Sequence, residues 1–138
     1  MTITPIRGSR EETNKALLDT AIKEAPSLLI DCSRAANPYS IAGYAPEDMR
    51  DVYVVEVEML YKFRDTMRDL PRFLDDTGAD TVIVTDTSTL FDYDNGEENR
   101  VIRGNAGKRL RYLARTHTVY VANPCENGFR ERRRTQSI

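Results

Sequence analysis

The sequence predicts a three-layer α/β/α fold, in which a mostly parallel sheet carries helices on both faces. Short apolar runs alternate along the chain with helical patterns, as parallel sheets with helical crossovers require. The run TVIVTDTSTLF at residues 81–91 begins with three consecutive aliphatic residues, typical of a strand that is buried on both faces. A chain of 138 residues without an internal repeat can bury one real core.

The chain opens with a strand, a turn and a helix. Residues 2–7 are broken by Pro5, which suits a short strand near a sheet edge. Gly8 permits a sharp turn, and Ser9 followed by Glu12 has the spacing of a capping box. We therefore expect a helix directly after this turn.

The remaining elements continue the alternation. We predict, in chain order, a strand at 27–32, a helical turn at 46–49, a strand at 52–57, a helix at 58–77, a strand from 81, a helix at 99–115 and a strand at 118–122. Pro71 either starts a new turn or bends the helix, and Gly78 is its stop signal. Glu56 and Glu58 are expected to be solvated residues at a sheet edge.

Charge is unevenly distributed along the chain. Residues 1–96 carry a net charge of −8 and residues 97–138 a net charge of +6. This asymmetry permits an anionic partner at the carboxyl-terminal end. Residues 129–138 have too few apolar side chains to pack, so we expect a single domain at residues 1–128 followed by a basic, flexible tail.

Several classes of protein are disfavoured by composition. No apolar run approaches the ~20 residues of a membrane span, and the amino-terminal end lacks a secretory pattern, so we expect a cytoplasmic protein with no membrane partner. Cys32, Cys125 and His117 are too few for a structural zinc site, and no metal is expected there.

Acidic residues follow two of the predicted strands. Asp31 and Asp86 end their strands at the edge where open α/β sheets bind ligands. A strand-ending aspartate also holds the magnesium ion in P-loop NTPases. Together with Asp92 and Asp94, these two residues form an alternative candidate catalytic set, a carboxylate cluster for two metal ions as in PIN-type nucleases.

Taken in order, five segments resemble the core of the RecA/RadA recombinases, particularly the archaeal RadA and RadB-like branch. They are ITPIRG, LLIDC, PEDMRDVYVVEV, TVIVTDTSTLF and RYLARTHTVYVAN. The resemblance covers about residues 2–124 and implies a RecA-like domain of the P-loop NTPase type. It makes Asp86 a vestigial Walker B residue.

Two departures from that family imply that ATP hydrolysis has been lost. A P-loop needs G-x-x-x-x-G-K-[ST], but the turn from Gly8 lacks the second glycine and the Gly-Lys pair, and places Glu11 and Glu12 where phosphates would approach. Ser33 stands where the family has the glutamate that activates water. We therefore expect no catalytic residues and no bound ATP or magnesium. Nucleotide binding through Lys15 is an alternative that its position within the helix disfavours.

The resemblance then implies an accessory or regulatory protein of DNA recombination and repair that acts by binding. Its expected partners are a recombinase or another repair protein, with DNA and a second copy of the chain as further candidates. An exposed strand, either residues 2–7 or residues 52–57, could pair with another chain. The expected DNA-contacting residues are Arg103, Lys108, Arg130, Arg132, Arg133 and Arg134.

Overall fold

The computed structural model describes residues 3–91 and 96–124. Its elements are β1 (Ile3–Ile6), α1 (Arg10–Lys23), β2 (Ser27–Asp31), α2 (Pro38–Ile41), α3 (Pro46–Met49), β3 (Val52–Glu56), α4 (Leu60–Thr77), β4 (Thr81–Val84), a 3₁₀ turn at Ser88–Phe91, α5 (Gly96–Leu113) and β5 (Thr118–Ala122).

The five strands form one sheet in the order β1-β5-β4-β2-β3, and every neighbouring pair is parallel. Asp31 lies beside Glu56 on β3, and Ile30 lies beside Val84 on β4. All five strands therefore end at the same edge of the sheet. The predicted α/β class is confirmed, and the sheet is parallel throughout.

Helices cover both faces of this sheet. On one face, Leu17 and Leu18 of α1 pack against Leu29 and Ile83. On the other face, α4 and α5 cover the sheet with a larger apolar cluster, in which the fully buried Phe63 packs edge-on against Phe91. Each residue of β4 is buried, as expected for the central strand of a three-layer fold.

Local signals in the sequence account for the helix ends. The Ser9 hydroxyl accepts a hydrogen bond from the Glu12 N–H at 3.0 Å, and the Glu12 carboxylate accepts one from the Ser9 N–H at 2.8 Å. This is the predicted capping box. Gly78 ends α4 with a φ of 72°, a left-handed conformation that glycine adopts without a steric cost. Pro71 lies inside α4 and does not divide it.

None of the helices in the described part of the chain is both long enough and apolar enough to cross a membrane.

Candidate functional site

The turn after β1 is closed by side chains of the protein itself. The Gly8 N–H donates to the Asn123 side-chain oxygen at 3.1 Å, and the Ser9 N–H donates to Glu12. A Cβ built on Gly8 would lie 2.9 Å from the Glu12 carboxylate, so this carboxylate sits directly against the turn. Backbone N–H groups of this kind are what a phosphate-binding turn offers to its ligand. Here two of these groups, the Gly8 and Ser9 N–H, already donate to Asn123 and Glu12.

Asn123 connects the carboxyl ends of three strands. Its side-chain nitrogen donates to the Gly8 carbonyl at 3.0 Å and to the Asp86 carboxylate at 3.1 Å, and its backbone N–H donates to the Ile6 carbonyl at 2.8 Å. Its φ of 45° is in the left-handed region, which asparagine tolerates better than most residues. The amide therefore joins the ends of β1, β4 and β5.

Asp86 is held as a carboxylate in this network. Burial alone would raise its pKa, but hydrogen bonds from the Ser88 N–H and from Asn123, with the nearby charge of Arg10, hold the pKa below its usual value. The negative charge is thus stabilised by contacts within the protein.

Asp31 organises the loop that follows β2. Its carboxylate accepts hydrogen bonds from the N–H groups of Ala35 at 2.8 Å and Ala36 at 2.9 Å, and from the Thr85 hydroxyl at 3.3 Å. Both carboxylate oxygens have partners, and the side chain is buried. Asp31 has the contacts of a residue that shapes a loop.

The next residue, Cys32, is a buried thiol that is poorly suited to nucleophilic chemistry. Burial raises its pKa, and the neighbouring charges of Asp31 and Asp86 raise it further. A cysteine reacts as a thiolate, which this environment disfavours. Cys125 lies outside the described residues.

A cleft of about 250 Å³ opens at the carboxyl ends of β2 and β3. Its charged lining combines two arginines, Arg10 and Arg34, with Asp31 and the exposed Glu56 and Glu58. Among the residues at 3–91 and 96–124, no group of three His, Cys, Asp or Glu side chains could hold a metal ion. Asp92 and Asp94, the other members of the alternative carboxylate cluster, lie outside these ranges.

Lys15, the alternative phosphate ligand, lies within α1 and is engaged elsewhere. Its ammonium group contacts the Asp19 carboxylate at 3.0 Å and the Tyr44 hydroxyl at 3.3 Å, and Tyr44 also donates to Asp19. These hydrogen bonds, those to Asp19 first, raise the pKa of Lys15. The three side chains fasten the α2–α3 segment to α1.

The residues expected to contact DNA are placed differently from one another. Arg103 is buried, with its guanidinium 3.9 Å from the centre of the Phe91 ring, which differs from the expected role at the surface. Lys108 is exposed on α5. The tail arginines Arg130, Arg132, Arg133 and Arg134 lie outside the described residues.

The outer edge of β3 combines free backbone groups with an apolar groove. The Asp51 carbonyl accepts a hydrogen bond from the Ser27 N–H, and the Val57 N–H donates to the Asp31 carbonyl, so both groups face β2. Because the direction alternates along a strand, Val52, Val54 and Glu56 direct their backbone groups outwards. No strand of the described chain pairs with this edge.

A groove of about 620 Å³ lies along the same edge. Val54 is 38 % exposed there. Ile41 and Met49 line the groove from the α2–α3 segment, and Phe73 lines it from α4. The sequence predicts this strand as a possible edge, whereas the groove depends on segments that only the fold brings together.

No protein-family model matches the chain, and no curated protein matches it either.

Proposed function

We propose that this chain is a non-catalytic paralogue of the RecA/RadA recombinases that serves as an accessory or regulatory protein in DNA recombination and repair. In this proposal it binds a partner recombinase through the outer edge of β3, and it binds DNA through basic residues. The free edge of β3 and its apolar groove carry the proposal.

The edge suits an extended segment of another protein. Three residues of β3 offer outward-facing backbone groups, so an added strand gains hydrogen bonds along its length. The groove adds apolar surface on both sides of the strand, from Met49 on one side and Phe73 on the other. Burial of such surface drives association.

The charges on and beside β3 indicate which residues a partner segment should carry. Residues 46–58 contain five acidic side chains and one basic side chain. A partner strand should therefore combine apolar residues with lysine or arginine, because opposite charges steer association and disfavour wrong partners.

The closed turn after β1 supports action by binding. Glu12 and Asn123 take the Ser9 and Gly8 N–H groups, where a nucleotide-binding relative would place phosphates. Glu12 also adds negative charge at the amino-terminal end of α1. Neither feature favours ATP binding.

The test is capture of partners from extract of the native cell, with identification by mass spectrometry. We expect the unaltered chain to capture a recombinase or another repair protein, and Val54→Lys to lose it because a charge enters the groove. Val101→Lys is the matched control, since Val101 is an exposed valine on α5.

Two outcomes would contradict different parts of this proposal. A captured set without any recombination or repair protein would remove the assigned function. Capture of such a protein at equal yield by Val54→Lys would retain the function and exclude the edge of β3. Unchanged melting temperatures of both variants would show that the substitutions act at the surface.

A further inference from the structure

The exposed face of α5 is a basic surface without compensating acid along most of its length. Residues 99–117 contain six lysines and arginines and no aspartate or glutamate. Arg103 is buried, and the other five are exposed: Arg100, Lys108, Arg109, Arg111 and Arg115.

Helical geometry aligns three of these residues. At ~100° per residue, Arg100, Lys108 and Arg111 fall within a sector of about 80° on α5. At ~1.5 Å per residue these three extend over about 16 Å along the helix axis, and Arg115 lies in the turn that directly follows the helix. We call these four residues the basic ridge.

The opposite face of α5 fixes the direction of the ridge. Ile102, Ala106 and Leu110 are buried in the core cluster that α4 and α5 form against the sheet. The helix cannot rotate without exposing them, so the ridge points away from the core. Gly104 lies on the ridge side, and a Cβ built on it would meet nothing within 4 Å, which leaves the helix backbone open to a ligand.

Three residues of the ridge are available for an external anion. Arg100 forms an ion pair with Glu97 at 2.7 Å. In the described part of the chain, Lys108, Arg111 and Arg115 have no ion pair within 4.0 Å. Arg115 lies 5.3 Å from the centre of the Tyr112 ring, which is 68 % exposed.

We propose that the basic ridge of α5 binds the phosphate backbone of a nucleic acid, with Lys108, Arg111 and Arg115 as the phosphate contacts. A row of cations at intervals along a helix can neutralise successive phosphates without reading bases. The exposed Tyr112 beside them offers a ring on which an unpaired base stacks, a contact that an acidic protein would not use. The inference deepens the DNA-binding part of the proposed function, and it does not depend on the edge of β3.

The test is titration of a fluorescent single-stranded oligonucleotide with the full chain at two salt concentrations. We compare the triple variant Lys108→Gln, Arg111→Gln and Arg115→Gln with a control triple variant of equal charge, Lys23→Gln, Arg50→Gln and Arg72→Gln. All six positions are exposed, and the tail arginines are present in both proteins.

We expect the ridge variant to bind at least about tenfold more weakly than the control at low salt, because three phosphate contacts are lost. The slope of log K against log salt should fall by roughly one for each contact removed. Val54→Lys should bind the oligonucleotide as the unaltered chain does.

Equal affinity of the ridge and control variants would overturn the proposal. Competition by poly-glutamate as strong as competition by unlabelled oligonucleotide would also overturn it and would assign the ridge to an acidic protein. Either of these results would leave the capture experiment on β3 unaffected, so each proposal can be contradicted without the other.

Discussion

At the carboxyl edge of the sheet, polar side chains contact neighbouring backbone N–H groups and one another. Asp31 holds its own loop, and Asp86 is held by Ser88 and Asn123. Glu12 closes the capping box of α1. Side chains that are hydrogen-bonded within the protein in this way stabilise the edge, and they need no substrate to explain their positions.

Asn123 should be the most sensitive of these positions. We expect Asn123→Ala to lower the free energy of unfolding by about 2 kcal/mol, because the Gly8 and Asp86 contacts are lost and alanine is strained at positive φ. Urea unfolding measures this change. Asn123→Gly relieves the backbone strain and removes the amide alone.

The control for this prediction is Asn105→Ala, at an exposed position on α5, which should change stability by less than about 0.5 kcal/mol. If Asn123→Gly were as stable as the unaltered chain, the amide would contribute nothing to the edge.

The role of a side chain was harder to predict from the sequence than the helix or strand on which it lies. The capping pair Ser9 and Glu12 follows from a local spacing and is confirmed. Arg103 and Lys108 are five positions apart, and the sequence predicts both as basic residues of the same helix. Their burial differs because one face of α5 meets the sheet. That face was hard to predict from the sequence, because a helix with two internal glycines has a weak apolar stripe.

At the scale of elements, α4 carries a proline that its packing tolerates. Pro71 is exposed, at the margin of the buried face that carries Met67 and Leu70. Because proline lacks an N–H and its ring crowds the preceding turn, it costs a helix interior up to ~3 kcal/mol relative to alanine. The apolar face of α4 outweighs that cost.

We therefore expect Pro71→Ala to stabilise the protein by about 1 kcal/mol, less than the full helix penalty because the unfolded chain gains freedom. Asp75→Ala, at an exposed position on the same helix, is the control and should change stability little. Thermal and urea unfolding would check both. A destabilised Pro71→Ala variant would show that the proline ring makes a packing contact that α4 requires.

Most elements could be predicted because their signals are local. The apolar run of β4, the glycine that ends α4 and the proline that begins α3 each act within a few residues. The short helix α2 was not predicted, although its start has a local signal, Asn37, which caps the Tyr39 and Ser40 N–H groups.

At the scale of the whole molecule, the strand order could not be predicted from the sequence. Parallel pairing follows from the alternation of strands and helices, but the order β1-β5-β4-β2-β3 depends on which helix crosses which face. That order places β1 and β3 at the two edges and β4 at the centre. It also separates the basic ridge on α5 from the groove on β3, so the two proposed contacts occupy different elements.

The same arrangement predicts how the whole molecule responds to nucleotide. Thermal unfolding with and without millimolar MgATP should give the same midpoint, because Glu12 and Asn123 occupy the turn after β1 and Lys15 is bound to Asp19. A nucleotide that binds the folded protein and is present at a hundred times its dissociation constant would raise the free energy of unfolding by about 2.7 kcal/mol. The unfolding midpoint would then rise by several degrees. Magnesium chloride alone is the control for ion effects. A saturable rise specific to ATP would contradict the closed turn, and its loss in Lys15→Gln would identify that lysine as the phosphate ligand.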